Sequence, residues 1–166
     1  MIVLGIESTA HTLGIGICKN EEILANEMDT YKPVGEGIIP RKAADHHAEV
    51  FLEILQKALN KANVKIEDVD LISVAKGPGI GAPLKVGVVG AKYLALKYKK
   101  KLVGVNHPYA HIKINELFTG IKNPLILYVS GGNTQVLIEK KPFEFQVLGE
   151  TFDIGVGNLF DNFARK

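Results

Sequence analysis

The chain opens on an apolar, β-branched run from Ile2 to Ile6, the pattern of a strand. A polar turn containing glycine, Glu7 to Leu13, leads into "GIGIC", where glycine alternates with apolar residues, so the pattern predicts a hairpin. A third strand is expected over Glu22 to Thr30, and "KPVGEGIIP" reads as a loop ended by Pro40. From Arg41 to Asn63 the period becomes helical. Ala44, Val50, Phe51, Ile54, Leu55, Ala58 and Leu59 recur at spacings of three and four, opposite Glu49, Glu53, Lys57 and Lys61. "VDLISVA" then reads as a buried strand, "KGPGIGAP" as a turn, Leu84 to Lys99 as a helix and "LVGV" as another short buried strand. Strands and helices in that order predict a mixed α/β sheet with helices packed on its faces.

The pattern then starts again. "PLILYVSGGNTQVLIEKKPFEFQVLGETFD" runs strand, glycine-polar turn, strand, short turn, strand, as "IVLGIESTAHTLGIGICKNEEILANEMDT" does, which predicts a second copy of one supersecondary unit. The closing "NLFDNFARK" puts Leu159, Phe160, Phe163 and Ala164 on one helical face. So short a helix needs packing to be stable, and an apolar face of this kind calls for cover from a partner or further sequence.

Composition narrows this picture little. With 166 residues, 46% of them hydrophobic and 23% charged, the chain can bury a substantial core and has no disordered character. A net charge of +2 permits contact with nucleic acid but falls short of a strongly basic binding domain. Cys18 is the one cysteine, so an intrachain disulfide is excluded, and its place among Ile15 and Ile17 suits a small buried apolar residue. The apolar start meets Glu7 at once, and no run reaches membrane-spanning length, so a cytoplasmic protein without a membrane partner is expected.

Five stretches carry candidate chemistry. In "YVSGGNTQV", Ser130, Gly131, Gly132 and Asn133 join two strands, and adjacent glycines let backbone N–H groups wrap a phosphate or carboxylate. A plain hairpin turn explains the same residues. The matching turn "GIESTAHT" of the first copy would face it across a nucleotide cleft if a pseudo-two-fold relates the copies. "KGPGIGAPLKVG" lies between a strand and a helix, where an anion can bind, yet it lacks the Gly-Lys-Ser/Thr of a P-loop and suits a tight connection equally. In "DHHAE", His46 and His47 project about 100° apart on a helix, so they cannot ligate one ion from one face, and one of them is expected at the surface or an interface. The lysine run of Lys97 and Lys99 to Lys101 reads as a solvated helix end in preference to a phosphate-backbone contact.

The fifth stretch is "VNHPYAHIK". With Asn106 as N-cap and Pro108 in the first turn, His107 and His111 fall one turn apart on one face at about 6 Å, a spacing that suits two nitrogen ligands of a transition metal. Two histidines that merely cap and fill a surface remain the alternative, since a pair is only part of a coordination shell. Zinc-protease chemistry is disfavoured, because Pro108 stands where the general-base glutamate would be.

Together, "GIESTAHT", "IIPRKAADHHAE", "KGPGIGAPLKVG", "GVNHPYAHI", "LYVSGGNTQV" and "GETFDIGVGNLFDNFAR" closely resemble the TsaD/OSGEP family, in the archaeal form that is the catalytic subunit of the KEOPS complex. The resemblance implies an α/β fold of the actin, hexokinase and Hsp70 ATPase type, ribonuclease H-like, with a mixed sheet and helices on both faces. On that fold, residues 1–106 would form the first lobe and 107–166 an incomplete second lobe. The implied activity is transfer of a threonylcarbamoyl group from threonylcarbamoyl-AMP to N6 of adenosine 37 in tRNAs that read codons starting with A. His107 and His111 match the family's histidine metal ligands, and Tyr128 matches a tyrosine near the metal, which would be one divalent ion, Fe2+ in preference to Zn2+. Tyr128, Val129, Ser130, Gly131, Gly132 and Asn133 match the turn that contacts nucleotide and substrate, and Asp161 matches an acid on the ribose. The implied partners are tRNA and other KEOPS subunits, a kinase-like ATPase and small accessory proteins. The chain departs from the family at Lys76, Lys85 and Pro108, where Gln, Arg and often Cys are usual. It also resembles only the family's first half, so the remaining aspartate ligand is expected on a C-terminal-half polypeptide or continuation. Two other readings stay open: a non-catalytic assembly module of KEOPS, docking through the helix Arg41 to Asn63, and an ATPase or sugar kinase of the same fold.

Overall fold

The computed structural model describes residues 1–33 and 37–164. The middle of the predicted loop Lys32 to Pro40 and the last two residues lie outside them. Two compact units divide the chain, Met1–Ala110 and His111–Lys166.

The first unit is a five-stranded sheet in the order β3-β2-β1-β4-β5. Its strands are β1 (Ile2–Glu7), β2 (Thr12–Lys19), β3 (Glu22–Thr30), β4 (Leu71–Gly77) and β5 (Lys101–Asn106). The first three form an antiparallel meander, and β4 and β5 add parallel to β1 through helical crossovers. The register pairs Leu4 with Ile17 and Ile72, and Ile6 with Ile15 and Val74, so one face of the sheet is continuously apolar. Helices α1 (Pro40–Ala62) and α2 (Gly81–Lys97) close over that face with Phe51, Ile54, Leu55, Ala58, Leu59, Ala91, Leu94 and Ala95. Each such large side chain removed from water contributes about 1.5–3 kcal/mol.

Helix α1 starts at Pro40, whose missing N–H costs nothing in a first turn, and ends at Asn63 in the left-handed conformation that asparagine tolerates. Its buried stripe runs through Ala43 and His47, where the sequence pattern expected Ala44. The two histidines do diverge as expected, but His47 turns fully into the interior and His46 is half-buried. Cys18 is half-buried, on the opposite parity of β2 from Ile15 and Ile17. Lys97, Lys99 and Lys101 are exposed, as expected of a solvated helix end, whereas Lys100 Nζ donates at 2.6 Å to the Glu67 carbonyl, which lies outside α2.

Helix α3 (His107–Thr119) begins in the first unit and continues in the second. Asn106 caps it as expected, its Oδ1 accepting the Tyr109 N–H at 3.0 Å. The second unit holds the antiparallel sheet β6 (Leu125–Val129), β7 (Thr134–Lys141) and β8 (Glu144–Glu150), followed by α4 (Val156–Ala164). This is the strand-turn-strand repeat that the sequence predicted. Lys113 on α3 pairs with Glu116 and with Glu139 on β7, fastening the helix to the sheet. Among the described residues no helix is long and apolar enough to cross a membrane.

Candidate functional site

His107 is the first residue of α3, and its Nδ1 lies 2.9 Å from Glu7 Oε2 and 3.2 Å from Thr9 Oγ1. Glu7 is in turn fixed at the end of β1, its Oε1 accepting the Thr9 N–H at 2.6 Å. The turn "GIESTAHT" therefore reaches the histidine through a carboxylate and a hydroxyl, with the Thr9 N–H holding the carboxylate in place. Sequence reasoning singled out the turn but missed Glu7 and Thr9 as partners of His107, because residues about a hundred positions apart meet only when β1 and β5 lie two strands apart in one sheet.

His111 follows one helical turn later and is exposed, with its carbonyl accepting from Asn115 Nδ2 at 2.7 Å. Tyr128, on β6, is half-buried, and burial pushes its phenol above the usual tyrosine range. The phenol is thus neutral and protonated at physiological pH unless a cation draws the proton off. Imidazole and phenol are donor types that zinc and iron both accept. Among the described residues no group of three or more His, Cys, Asp or Glu side chains is placed to hold a metal ion.

The turn after β6 is closely tied. Ser130 N–H and Ser130 Oγ both donate to the Asn133 carbonyl, at 2.8 and 3.0 Å, while Ser130 Oγ accepts the Asn133 N–H at 3.0 Å. Gly131 and Gly132 are exposed residues whose N–H groups take no part in these bonds. The start of α4 packs onto the same turn: Gly157 N–H donates to the Ser130 carbonyl, and Val156 N–H to Thr134 Oγ1. Gly155 and Gly157 make this approach possible. A Cβ on Gly155 would lie 2.6 Å from the Asn133 nitrogen and 2.8 Å from the Gly131 oxygen, and one on Gly157 would lie 3.0 Å from the Ser130 oxygen. The structure therefore brings Asn158 beside Gly131, and Asp161, three residues on and exposed, lies on the same helical face one turn away. Val129 ends β6 and is exposed. Thr134, Gly155, Gly157 and Asn158 were missed in the sequence, although the glycine-glycine-asparagine spacing of "GVGN" is the signal that marks a close backbone approach.

The second glycine-rich stretch resolves toward packing. Ile80 N–H donates to the Thr9 carbonyl at 2.7 Å, a Cβ on Gly79 would lie 2.6 Å from Thr9, and one on Gly87 would lie 2.2 Å from Ser8 Oγ. The backbone there serves to press α2 against the turn that carries Glu7.

A family model described as "TsaD: tRNA N6-adenosine threonylcarbamoyltransferase" matches residues 20–166. Proteins named tRNA N6-adenosine threonylcarbamoyltransferase are similar along the chain's length. The one from Thermococcus kodakarensis is 53% identical over 100% of this chain and 50% of its own length. The one from Caldivirga maquilingensis is 52% identical over 99% of this chain and 50% of its own. The chain spans about half the length of the curated relatives it matches. Solved structures are similar in fold alone. YeaZ from Pseudomonas aeruginosa aligns at a TM-score of 0.61 and 13% identity, covering 90% of this chain and 65% of that one. The ROK hexokinase from Thermus thermophilus aligns at 0.51 and 17% identity, covering 89% of this chain and 48% of that one. These neighbours bear out the ribonuclease H-like fold of the actin and hexokinase type.

Proposed function

We infer the activity of this chain from one premise: it belongs to the TsaD family, tRNA N6-adenosine threonylcarbamoyltransferase. The reaction is transfer of threonylcarbamoyl from threonylcarbamoyl-AMP to N6 of adenosine 37 of tRNA. The observation that carries the reading is identity of 53% to the Thermococcus kodakarensis relative across all of this chain. Since the chain spans half of that relative, the activity belongs to the assembled length, with a C-terminal-half polypeptide or continuation supplying the rest.

In this reading the turn Val129 to Asn133 holds the adenylate with the N–H groups of Gly131 and Gly132, and Asp161 takes the ribose hydroxyls from α4. His107, His111 and Tyr128 hold one divalent ion, Fe2+ in preference to Zn2+. When bound, such an ion supplies Lewis-acid polarisation of the threonylcarbamoyl carbonyl. The N6 amine attacks the carbamoyl carbon, the bond from that carbon to the phosphate oxygen breaks, AMP leaves and N6 loses one proton. The docking of α4 on the turn, through Gly155 and Gly157, supports a preformed nucleotide seat.

A second reading has its own observation. Helices α1 and α2 leave Leu52, Val89, Tyr93 and Leu96 exposed, which suits an assembly surface for other KEOPS subunits in the cytoplasm. The two readings are compatible if the chain both assembles and catalyses. The test mixes this chain with a polypeptide spanning the other half of its relatives' length, threonylcarbamoyl-AMP and tRNA, and reads modified adenosine by mass spectrometry. Modified adenosine that disappears with His111→Ala supports the transferase. Absence of modification from a folded, mixed sample overturns it, and sugar-dependent ATP hydrolysis instead points to the kinase of the same fold.

A further inference from the structure

Phe143 sits at the tip of a hairpin in a conformation that its side chain disfavours. The chain turns from β7 to β8 through Pro142 and Phe143, with Lys141 paired to Glu144 across the turn. Proline holds its own φ at about −65°, and Phe143 follows at φ 68°, the left-handed conformation that such a turn reserves for glycine or asparagine. A bulky residue there is strained, and this one gains little burial in return, since Phe143 is 74% exposed. Strain of this kind points from the outlier to a function. We propose that the β7–β8 hairpin tip binds the tRNA, with Phe143 stacking on a base and Lys140 and Lys141 holding backbone phosphates. The proposal rests on the reading of tRNA as substrate and extends it to a surface outside the adenylate turn.

The lysines suit that role. Lys140 is exposed and falls at the irregularity that shifts the β7–β8 register between Glu139 and Lys141, the kind of bulge that re-aims a side chain. The Lys141 side chain is 76% exposed, and its Nζ lies 3.6 Å from Glu144 Oε2. So long a contact between exposed groups is worth little, which leaves the ammonium open to exchange for a phosphate. Leu125 pairs with Ile138, so exposed Lys122, three residues before β6, lies at the same end of the sheet. Lysines for the backbone and an aromatic face for a base are the two parts of a surface for unpaired nucleotides, which RNA loops present. The turn Ser130 to Asn133 is at the opposite end of β7, whose eight residues span roughly 24 Å. A tRNA whose adenosine is at that turn therefore meets the tip with nucleotides well removed from the one modified.

The experiment uses this chain together with a polypeptide spanning the other half of its relatives' length, and reads the binding of fluorescent unmodified tRNA by anisotropy over a range of salt. Phe143→Gly suits the left-handed conformation, so it should fold at least as stably as the unaltered chain while tRNA affinity falls about 5- to 150-fold, the worth of one stacked base. Phe143→Tyr, which keeps an aromatic face, should retain binding. Lys140→Ala combined with Lys141→Ala should weaken binding and flatten the slope of log K against log salt by about 1 to 2. Lys19→Ala, exposed at the end of β2, should leave that slope unchanged. A tRNA with guanosine in place of adenosine 37 should show the same losses, because the tip lies away from that base. Unchanged affinity in the lysine variant or in folded Phe143→Gly overturns the proposal and leaves the transferase reading standing, with a protein as the tip's partner instead. If Phe143→Gly does not fold, Phe143→Leu takes its place, keeping bulk without an aromatic face, and unchanged affinity there overturns the proposal equally. If the unaltered sample does not bind tRNA, the reading of tRNA as substrate falls as well.

Discussion

The pair of histidines on α1, one buried and one half-buried, shows how single residues set the behaviour of this chain. His47 Nε2 lies 3.2 Å from the Ala10 carbonyl and His46 Nε2 lies 2.9 Å from Asp29 Oδ1. Both of those partners only accept, so each Nε2 carries a hydrogen, and at most one hydrogen fits between the two Nδ1 atoms, 3.2 Å apart. Burial pushes His47 below the usual histidine range, opposed by its bond to Ala10 and reinforced by the neighbouring His46 and His11. A depressed value in the folded chain means that the unfolded chain binds more protons once pH falls below the ordinary value of 6.5. Stability is therefore complete above pH 6.5 and is lost as pH falls from there through the lowered value. Urea midpoints measured from pH 7.5 down to pH 5 should decline, and His47→Gln, whose amide can still donate to Ala10, should flatten that decline. The sequence located the pair and its divergence on the helix. Its expectation that one ring would face the surface or an interface rested on angle alone, and what turned His47 inward was an acceptor at Ala10, distant in sequence.

At the scale of elements, the decisive contacts are backbone against backbone. Gly155→Ala should break the seat of α4 on the turn Ser130 to Asn133, because the atoms it meets are main-chain atoms that cannot rotate away. We expect a destabilisation of about 1–3 kcal/mol in urea unfolding, as for other overpacked sites, and a loss of adenine-nucleotide affinity in calorimetry. Core packing in the first unit gives a contrasting case. Ile54, buried in α1 against the sheet, should cost about 2–5 kcal/mol when changed to Ala, with nucleotide binding unaffected so long as the chain is folded. Periodicity made α1 and β3 legible almost to the residue, since a long amphipathic helix and a flanked strand carry strong patterns. Helix α2 begins three residues before the expected Leu84, because Gly81, Ala82 and Pro83 have turn composition yet lie in helical conformation with Pro83 buried. Composition speaks for turns there, and the tertiary contact of the loop with Thr9 overrides it.

Over the whole molecule, burial is uneven. The first unit gathers eighteen buried apolar residues into one cluster, whereas Ile112 and Leu137 are the buried apolar residues described in the second. Leu125, Leu127, Val147, Leu148, Phe160 and Phe163 of the second unit are exposed. Regions with few buried apolar contacts open at lower free energy. Amide hydrogen exchange should therefore show β1, β2 and β4 protected far longer than β6 and β8, and equal protection would contradict the uneven burial. The second unit also bears out the apolar face foreseen on α4 at Leu159, Phe160 and Phe163, all exposed.

By itself the sequence determined the period-two and period-3.6 patterns, hence the order of elements, the repeat of strand-turn-strand, the cap at Asn106 and the spacing of His107 and His111. These follow from local stereochemistry, which neighbouring residues settle among themselves. Through its motifs it also determined the family. Only the tertiary structure decided what stands behind "HPYAH": Glu7 and Thr9 reach His107 because β1, β4 and β5 lie side by side. It likewise decided that "KGPGIGAP" is packing, and that "GVGN" exists to let one backbone touch another. Contacts of that kind depend on sheet order and on where a missing Cβ leaves room, and neither quantity is written in the periodicity of a single segment.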